Sequence, residues 1–323
     1  MDVSIIVAVG RYDFKGCLES LISQQTGLKY EVIAVGEAWM KSPLSNVKWI
    51  TVNDKNPALK RNVGAHHAQG RILAFIDDDA YAPSDWLQKI YQAFHDNPFC
   101  AGVGGPNFAP PDSGEKERLA DAVLSSRLGS GSSSYTSEGE EHDVRIGEIH
   151  LVNFAIRKGI FDELGGFNEA LGYGAEDSEF IYLAKRLQNA RFRYLPRMFV
   201  YHRRRKFGAD FLKQRFNLRK QNGRILWVRP AMYMSNPLFC AGLLGIFLSL
   251  PLLLLKPWVV LLMFFTYLIT LVNSSVKVKG ANMLQWLVAT ILTHIVSVAG
   301  IIVGFLSIPD VKNYARLARR PLW

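Results

Sequence analysis

The chain has 323 residues and a formal net charge of +10, and 49% of its residues are hydrophobic. Its three cysteines are too few and too far apart for a disulfide framework or a zinc site, which fits a soluble part in a reducing compartment. No nucleic-acid-binding motif is found, and the basic residues cluster just before a long apolar region. The charge therefore indicates a membrane surface or phosphate groups as partners, and not nucleic acid.

The first third of the chain alternates between short apolar runs and helical patterns. Strands buried on both faces are predicted at residues 3–9, 31–35 and 72–76, and helices at 17–25 and 58–69. This alternation predicts an α/β fold with a parallel sheet. Ligands bind such sheets at the carboxyl ends of the strands, so we expect residues 36–37 and the residues after 76 to face one site.

Three adjacent carboxylates, Asp77, Asp78 and Asp79, follow the strand expected at 72–76. Like charges in contact repel one another and cannot be buried without a partner. Carboxylate oxygens suit a hard divalent cation such as Mg2+ or Mn2+, which would carry a nucleotide diphosphate. A solvated acidic turn is the alternative, and the three residues alone do not distinguish the two.

A second acidic pair, Glu176 and Asp177, precedes an amphipathic helix predicted at 178–189. A helix N-terminus stabilises negative charge, which keeps a carboxylate ionised and able to act as a base. The alternative is a simple helix cap. Arg61 either binds a phosphate or pairs with an acidic residue, and His202, which ends an apolar segment, can ligate a metal.

The stretch 125–143 is rich in Ser, Gly and Glu and is predicted to be a mobile loop. It is either a lid over an acceptor or plain surface, and the sequence leaves both readings open.

Taken in order and at these intervals, several of these motifs resemble the inverting family 2 glycosyltransferases of the GT-A fold. They are residues 17–21, 61–64, 75–79, 164–167, 176–177 and 200–204. The similarity covers roughly residues 3–205, and the Ser/Gly-rich loop and apolar tail further resemble the membrane-anchored, ExoA-like succinoglycan-biosynthesis branch. The implied fold class is an α/β GT-A domain followed by a transmembrane helical region.

The resemblance also implies roles for individual residues. Asp79, with Asp77 and His202, would ligate Mn2+ or Mg2+ on the donor diphosphate. Asp177 would be the base that takes a proton from an acceptor hydroxyl, and Glu176 would orient Asp177 or the acceptor. The other implied assignments are donor binding by Glu37, Arg61, Asp77, Asp78, Arg203 and Arg205, and acceptor binding by Asn153 and Tyr173.

Two departures from the family pattern affect the predicted specificity. Gly36 and Glu37 stand where the family usually has two aspartates that hold the base, and this departure bears on which nucleotide is bound. The Gln-x-x-Arg-Trp motif of processive synthases is incomplete at residues 221–227. We therefore expect transfer of a single sugar rather than polymer extrusion.

The last third of the chain is predicted to lie in a membrane. Three spans are expected at 237–255, 258–272 and 283–308, the first two as a tight hairpin, with a buried core or re-entrant hairpin as the alternative. The basic stretch 210–227 is expected to lie along the membrane face. Three spans would place the basic tail outside, against the positive-inside tendency, whereas a hairpin that does not fully cross would return it to the cytosol.

The sequence thus predicts a cytoplasmic GT-A domain at 1–205, an interfacial segment at 206–236, transmembrane helices at 237–308 and a basic tail at 309–323. The predicted activity is metal-dependent transfer of one sugar from a nucleotide sugar, expected to be UDP-linked. The acceptor is expected to be a lipid-linked or membrane-presented saccharide at the inner (plasma) membrane, in polysaccharide or glycoconjugate biosynthesis. The alternatives are a polyprenyl-phosphate glycosyltransferase and a non-catalytic membrane scaffold.

Overall fold

The structure is a computed structural model that describes residues 1–10, 14–40, 44–130, 140–171, 174–234, 245, 254–275 and 281–307. These residues divide into two compact units. The sheet unit comprises the described residues of Met1–Ser113 and Ser134–Arg203, and the helical unit those of Gly114–Ser133 and Arg204–Pro309. The predicted first domain at 1–205 is therefore interrupted, because the stretch after Ser113 groups with the later helices.

The sheet unit is built on an eight-stranded sheet with strand order β3-β2-β1-β4-β9-β6-β10-β8. Its strands are β1 Val3–Ala8, β2 Tyr30–Gly36, β3 Val47–Thr51, β4 Ile72–Asp77, β6 Cys100–Gly104, β8 His142–Asp143, β9 Phe154–Arg157 and β10 Arg191–Tyr194. A three-stranded sheet contains β5 Ala80–Tyr81, β7 Asn107–Phe108 and β11 Val200–His202. The helices of this unit are α1 Lys15–Ile22, α2 Pro57–His66, α3 Trp86–Asp96, α6 Lys158–Glu163 and α7 Glu176–Leu187.

The parallel sheet predicted for the first part of the chain is confirmed, because β1 pairs in parallel with β2 and β4, and β2 with β3. β9 instead runs antiparallel to both β4 and β6. The chain leaves β6 at the edge where β4 ends and enters β9 from that same edge, so β9 must run backwards. The sheet is therefore mixed, and the start of β9 lies beside the end of β4.

Two apolar cores cover the faces of the large sheet. One contains Leu18, Trp86 and Ile90 from α1 and α3, packed on alternate residues of β1. The other contains Phe75 from β4 and Phe180 from α7, within a group of closely spaced phenylalanine rings. Because both faces are buried, the strands are nearly continuous apolar runs, and their polar residues are confined to the strand ends.

The stretch 125–143, predicted to be a mobile loop, contains ordered structure at both ends. The short helix α5 Arg127–Ser130 opens it, and β8 closes it by pairing with β10. The His142 imidazole contacts the buried Glu148 carboxylate at 2.9 Å, which ties β8 down. The loop prediction was therefore wrong at these ends, and its middle, 131–139, lies outside the described residues.

The helical unit contains α4 Glu115–Ser125, α5, α8 Ala209–Val228, α9 Pro230–Met234, α10 Pro257–Ser275 and α11 Met283–Leu306. Two of them, α10 and α11, are long and apolar enough to cross a membrane by length and composition, and they coincide with the predicted second and third spans. The predicted first span at 237–255 lies almost wholly outside the described residues, as does the tail at 309–323.

Candidate active site

The acidic residues after β4 meet a histidine from a distant part of the chain. β5 pairs antiparallel with β11, which places His202 opposite Ala80 and beside Asp79. The His202 Nε2 atom lies 3.1 Å from the Asp79 Oδ1 atom. One ligand atom each from Asp77, Asp79 and His202 lies within 4.8 Å of the others.

This cluster suits one divalent cation. Atoms that share a Mg2+ ion at its usual bond length of about 2.1 Å lie about 3–4 Å apart, so small side-chain rotations would bring these three into range. All three side chains remain partly exposed, which leaves open positions for a ligand. The predicted set of metal ligands is thus assembled in one place, while their role stays a prediction.

Asp78, the middle carboxylate, has a different environment. It is 7% exposed, and the Gly10 N–H at the end of β1 donates a 2.8 Å hydrogen bond to its Oδ2 atom. Its carboxylate therefore holds the backbone that follows β1. Its predicted contact with the donor stays a prediction.

Arg61 on α2 joins the acid triplet to the second acidic pair. Its guanidinium is 7% exposed and lies 2.7 Å from Asp77 Oδ1 and 3.0 Å from Glu176 Oε1. The structure therefore shows Arg61 paired with acidic residues. Its predicted contact with the donor stays a prediction.

Glu176 and Asp177 begin α7, as predicted, but their environments push their pKa values in opposite directions. Burial raises the pKa of Glu176 to about 7, against the opposing effect of the Arg61 charge. Burial acts to raise the pKa of Asp177 as well, but hydrogen bonds from His150 and Ser178 outweigh it and lower that pKa below its ordinary value. Near neutral pH, Asp177 is therefore ionised while a fraction of Glu176 is protonated.

His150 is a residue of this site that sequence reasoning missed. Its Nδ1 atom lies 3.3 Å from Asp177 Oδ2, and because an ionised carboxylate only accepts hydrogen bonds, the imidazole is the donor. The Ser178 N–H donates to the other oxygen, Oδ1, at 2.6 Å. The one available signal was position, since His150 stands just ahead of β9, whose start lies beside the end of β4.

Three other predicted site residues have the following positions. Asn153 is completely buried; its amide accepts from Trp86 Nε1 at 2.9 Å and donates to the carbonyls of Pro106 and Met198. The Asn153 side chain therefore bonds within the interior, and its predicted contact with the acceptor stays a prediction. Glu37 follows β2, is partly exposed and accepts a hydrogen bond from the Trp39 indole at 3.1 Å. Tyr173 lies outside the described residues.

The two arginines predicted to neutralise the leaving diphosphate differ in their surroundings. Arg203 is exposed and pairs with Asp112 within the sheet unit. Arg205 is exposed and belongs to the helical unit. Their contact with a donor stays a prediction.

Comparisons with known proteins agree with this geometry. Residues 5–165 match the family described as Glycosyl transferase family 2. The glucosyl-dolichyl phosphate glucuronosyltransferase of Haloferax volcanii is 27% identical over 132 residues, which cover 37% of this chain and 37% of that protein. The chain thus matches little more than a third of this relative's length.

Solved structures resemble the chain at low identity. The mannosyltransferase PcManGT from Pyrobaculum calidifontis, in complex with GDP-Man and Mn2+, is 16% identical, with a TM-score of 0.56 over 93% of this chain and 86% of that chain. The S. aureus TarS fragment 1–349 is 20% identical, with a TM-score of 0.47 over 70% of this chain and 66% of that chain.

The family match spans β1–β4, the acid triplet and β9, and the similarity to PcManGT establishes the fold. The predicted resemblance is therefore confirmed at the level of the family and the fold, while the ExoA-like branch stays a prediction. Residues 5–165 form a glycosyl transferase family 2 domain of the GT-A fold, and the chain carries the domain of a glycosyltransferase.

Proposed function

We propose that the chain is an inverting, metal-dependent glycosyltransferase that moves one sugar from a nucleotide sugar to a lipid-linked acceptor. One observation supports this proposal above the others. A possible cation site (Asp77, Asp79 and His202) and an ionised carboxylate (Asp177) lie in the sheet unit. Arg61 pairs with Asp77 of the cation site and with Glu176, the residue next to Asp177. Sugar transfer needs both parts, one for the leaving diphosphate and one for the attacking hydroxyl.

The acid triplet and His202 are proposed to bind the donor. A divalent cation held there would neutralise charge that develops on the diphosphate as it leaves. PcManGT was solved with a nucleotide sugar and Mn2+, which supports the same ligand class here. We keep the expectation of a UDP-sugar and place Glu37, at the carboxyl end of β2, beside the nucleoside.

Asp177 is proposed to be the base. It takes the proton of the acceptor hydroxyl while that oxygen bonds to the anomeric carbon and the bond to the donor diphosphate breaks, which inverts the anomeric configuration. His150 is a positioning residue, because its N–H holds Oδ2 while the Ser178 N–H holds Oδ1. Glu176 pairs with Arg61, and this pair would hold the start of α7 near the end of β4.

A lipid-linked acceptor at a membrane is supported by two observations. The Haloferax relative is named for a dolichyl phosphate substrate. The helical unit carries two helices long and apolar enough to cross a membrane. We propose a membrane-bound chain whose sheet unit faces the cytoplasm, where nucleotide sugars are made.

A polyprenyl-phosphate glycosyltransferase is the second candidate. Its nucleophile is a lipid phosphate, which is already ionised and needs no strong base. The hydrogen bonds that keep Asp177 ionised favour a hydroxyl acceptor instead. The non-catalytic scaffold is disfavoured because it gives no reason for the cation site and the ionised Asp177 to lie in one unit.

Calorimetric titration of the detergent-solubilised full chain with UDP, GDP, CDP and dTDP, with and without Mn2+, tests the proposal. We expect one nucleotide to bind tightly only with metal, and this binding to be lost in Asp79→Ala. Asp177→Asn is the matched variant, which should keep nucleotide binding and lose transfer. Metal-independent binding in the parent would contradict the cation site, and normal transfer by Asp177→Asn would favour the polyprenyl-phosphate reaction.

A further inference from the structure

The helix α11 is long and apolar enough to cross a membrane, yet one side of it is covered by helices that carry many charges. We propose that α11 lies in the plane of the membrane surface, with its exposed apolar stripe against the lipid of an anionic bilayer, and does not cross. The argument uses only the helical unit and does not depend on the proposed glycosyl transfer.

The first half of α11 is bound to α4 and α5. The Trp286 side chain is fully buried and donates a 3.1 Å hydrogen bond from Nε1 to the Ala122 carbonyl of α4. The His294 Nε2 atom donates to the Leu128 carbonyl of α5 at 2.7 Å. α4 is a charged helix, with Glu115, Lys116, Glu117, Arg118 and Asp121.

The second half of α11 packs backbone-to-backbone on α8. A Cβ atom on Gly300 would lie 2.5 Å from the Phe216 carbonyl oxygen, and one on Gly304 would clash with the Lys220 carbonyl. The Trp227 indole donates to the Phe305 carbonyl at 2.6 Å. The contacts advance in the same direction on both helices, so α8 and α11 run parallel over about three turns.

The charges of α8 oppose insertion of this pair into a bilayer. The contacting stretch of α8 carries Lys213, Arg215, Arg219, Lys220 and Arg224. If α11 crossed the membrane, close packing would carry these cations into the hydrocarbon with it, and each cation there is costly. At the surface, the same side chains reach lipid phosphates, and cationic residues near an anionic leaflet favour binding.

The exposed and buried residues of α11 separate onto opposite faces. The exposed apolar residues are Met283, Leu284, Val288, Leu292, Ile295, Ile302, Val303, Phe305 and Leu306. The buried face consists of Trp286, Ala289, Thr290, Thr293, Gly300 and Gly304. At 100° per residue the two sets lie about 180° apart, so the exposed apolar side is opposite the side that the other helices cover.

α10 provides the contrast within the same unit. Of its 18-residue apolar window, 6% is buried, so most of its apolar side chains are exposed, although Leu271 is fully buried. A long apolar helix that is mostly exposed suits a membrane span, whereas α11 is covered on one side by charged helices.

Single-cysteine accessibility in the full chain tests this proposal. Ala281→Cys and Ser307→Cys report on the two ends of α11, and Lys256→Cys reports on the start of α10. Each is treated with a membrane-impermeant maleimide in right-side-out and inside-out vesicles, with the parent protein as the blank for native cysteines. We expect residues 281 and 307 to react from the same face and residue 256 from the opposite face.

Reaction of residues 281 and 307 from opposite faces would overturn the proposal, as would recovery of the parent chain in the soluble fraction. Asn282→Cys is a second reporter for the first end of α11 if Ala281→Cys does not accumulate. Reaction of residue 256 from the opposite face also shows that the two vesicle preparations have the intended orientation.

Discussion

Glu176→Gln is expected to change how the stability of the protein depends on pH. Burial raises the pKa of Glu176 from 4.5 to about 7, so the folded state holds this proton more tightly than the unfolded chain does. The stability that comes from this proton is fully present below pH 4.5 and is lost as the pH rises through 7. Glutamine stays neutral at every pH, so the variant lacks this loss.

The magnitude follows from the shift. Each pKa unit corresponds to about 1.4 kcal/mol, so the parent loses roughly 2–3 kcal/mol of stability between about pH 5 and pH 8 through this one group. For a unit of 150–250 residues, about 1 kcal/mol shifts the Tm by roughly 2–4 °C. The Tm of Glu176→Gln relative to the parent should therefore rise by about 5–10 °C from pH 5 to pH 8.

The assay is thermal unfolding of the purified full chain in detergent at several pH values. Comparing the variant with the parent at each pH cancels any pH-independent cost of altering a carboxylate whose Oε2 accepts from Gly174 and whose Oε1 accepts from Arg61. Glu19→Gln, on the exposed surface of α1, is the matched control and should show no such trend. Asp177 does not contribute to this trend. Its pKa is lowered in the folded protein, so the stability that its ionised form contributes is lost only as the pH falls below about 3.8.

A variant whose Tm relative to the parent falls towards pH 8 would refute the reasoning. It would mean that the attraction of Arg61 exceeds the cost of burial and that Glu176 is a stabilising anion.

Three further predictions concern single residues. His150→Ala should lower kcat about tenfold, the size of a long charge-assisted hydrogen bond, and leave the KM for the sugar donor unchanged. His150→Asn keeps a hydrogen-bond donor and should recover most of the lost kcat. A raised KM for the sugar donor in His150→Ala would point to a role in donor binding instead. Asn153→Leu should lower the free energy of unfolding by about 3 kcal/mol, seen in thermal unfolding, because the buried Trp86 N–H and Met198 carbonyl lose their bonds to the Asn153 amide. An unchanged Tm with a raised acceptor KM would support the acceptor role instead. Gly304→Ala should lower the free energy of unfolding by about 1–3 kcal/mol through overpacking, which is seen as a lower Tm. Gly159→Ala, whose added Cβ meets open space, should not lower the Tm, and equal effects of the two variants would argue against the close α8–α11 contact.

The strands and the acidic motifs could be predicted because their signals are local. An apolar run that ends in Asp77 specifies a buried strand with a polar end, wherever the rest of the chain lies. Glu176 and Asp177 likewise precede a helix whose periodicity is visible in the sequence. The order of these elements in a parallel sheet then places both motifs at one edge.

The partners of Arg61 and Asn153 could not be predicted, because they are distant in sequence. The Asn153 amide bonds to the backbone of Pro106 and Met198, and backbone carbonyls leave no mark in a sequence. From the sequence alone, a polar residue near a predicted site is interpreted as a ligand contact. The same sequence is equally compatible with a buried side chain that bonds to the protein interior. The antiparallel direction of β9 has the same origin, since it depends on where the chain re-enters the sheet.

The case of α11 shows which sequence signal distinguishes a span from a surface helix. Mean hydropathy counts all sides of a helix together, so α10 and α11 pass the same test although their surroundings differ. What differs is how residue types are distributed around the axis, because α11 collects Thr290, Thr293, Gly300 and Gly304 on one face. Small residues at this spacing allow another helix to approach closely, and at Gly300 and Gly304 that helix is the basic α8. Periodicity within an apolar run, compared with the charge of the nearest amphipathic helix, is therefore the better predictor of whether the run crosses a bilayer.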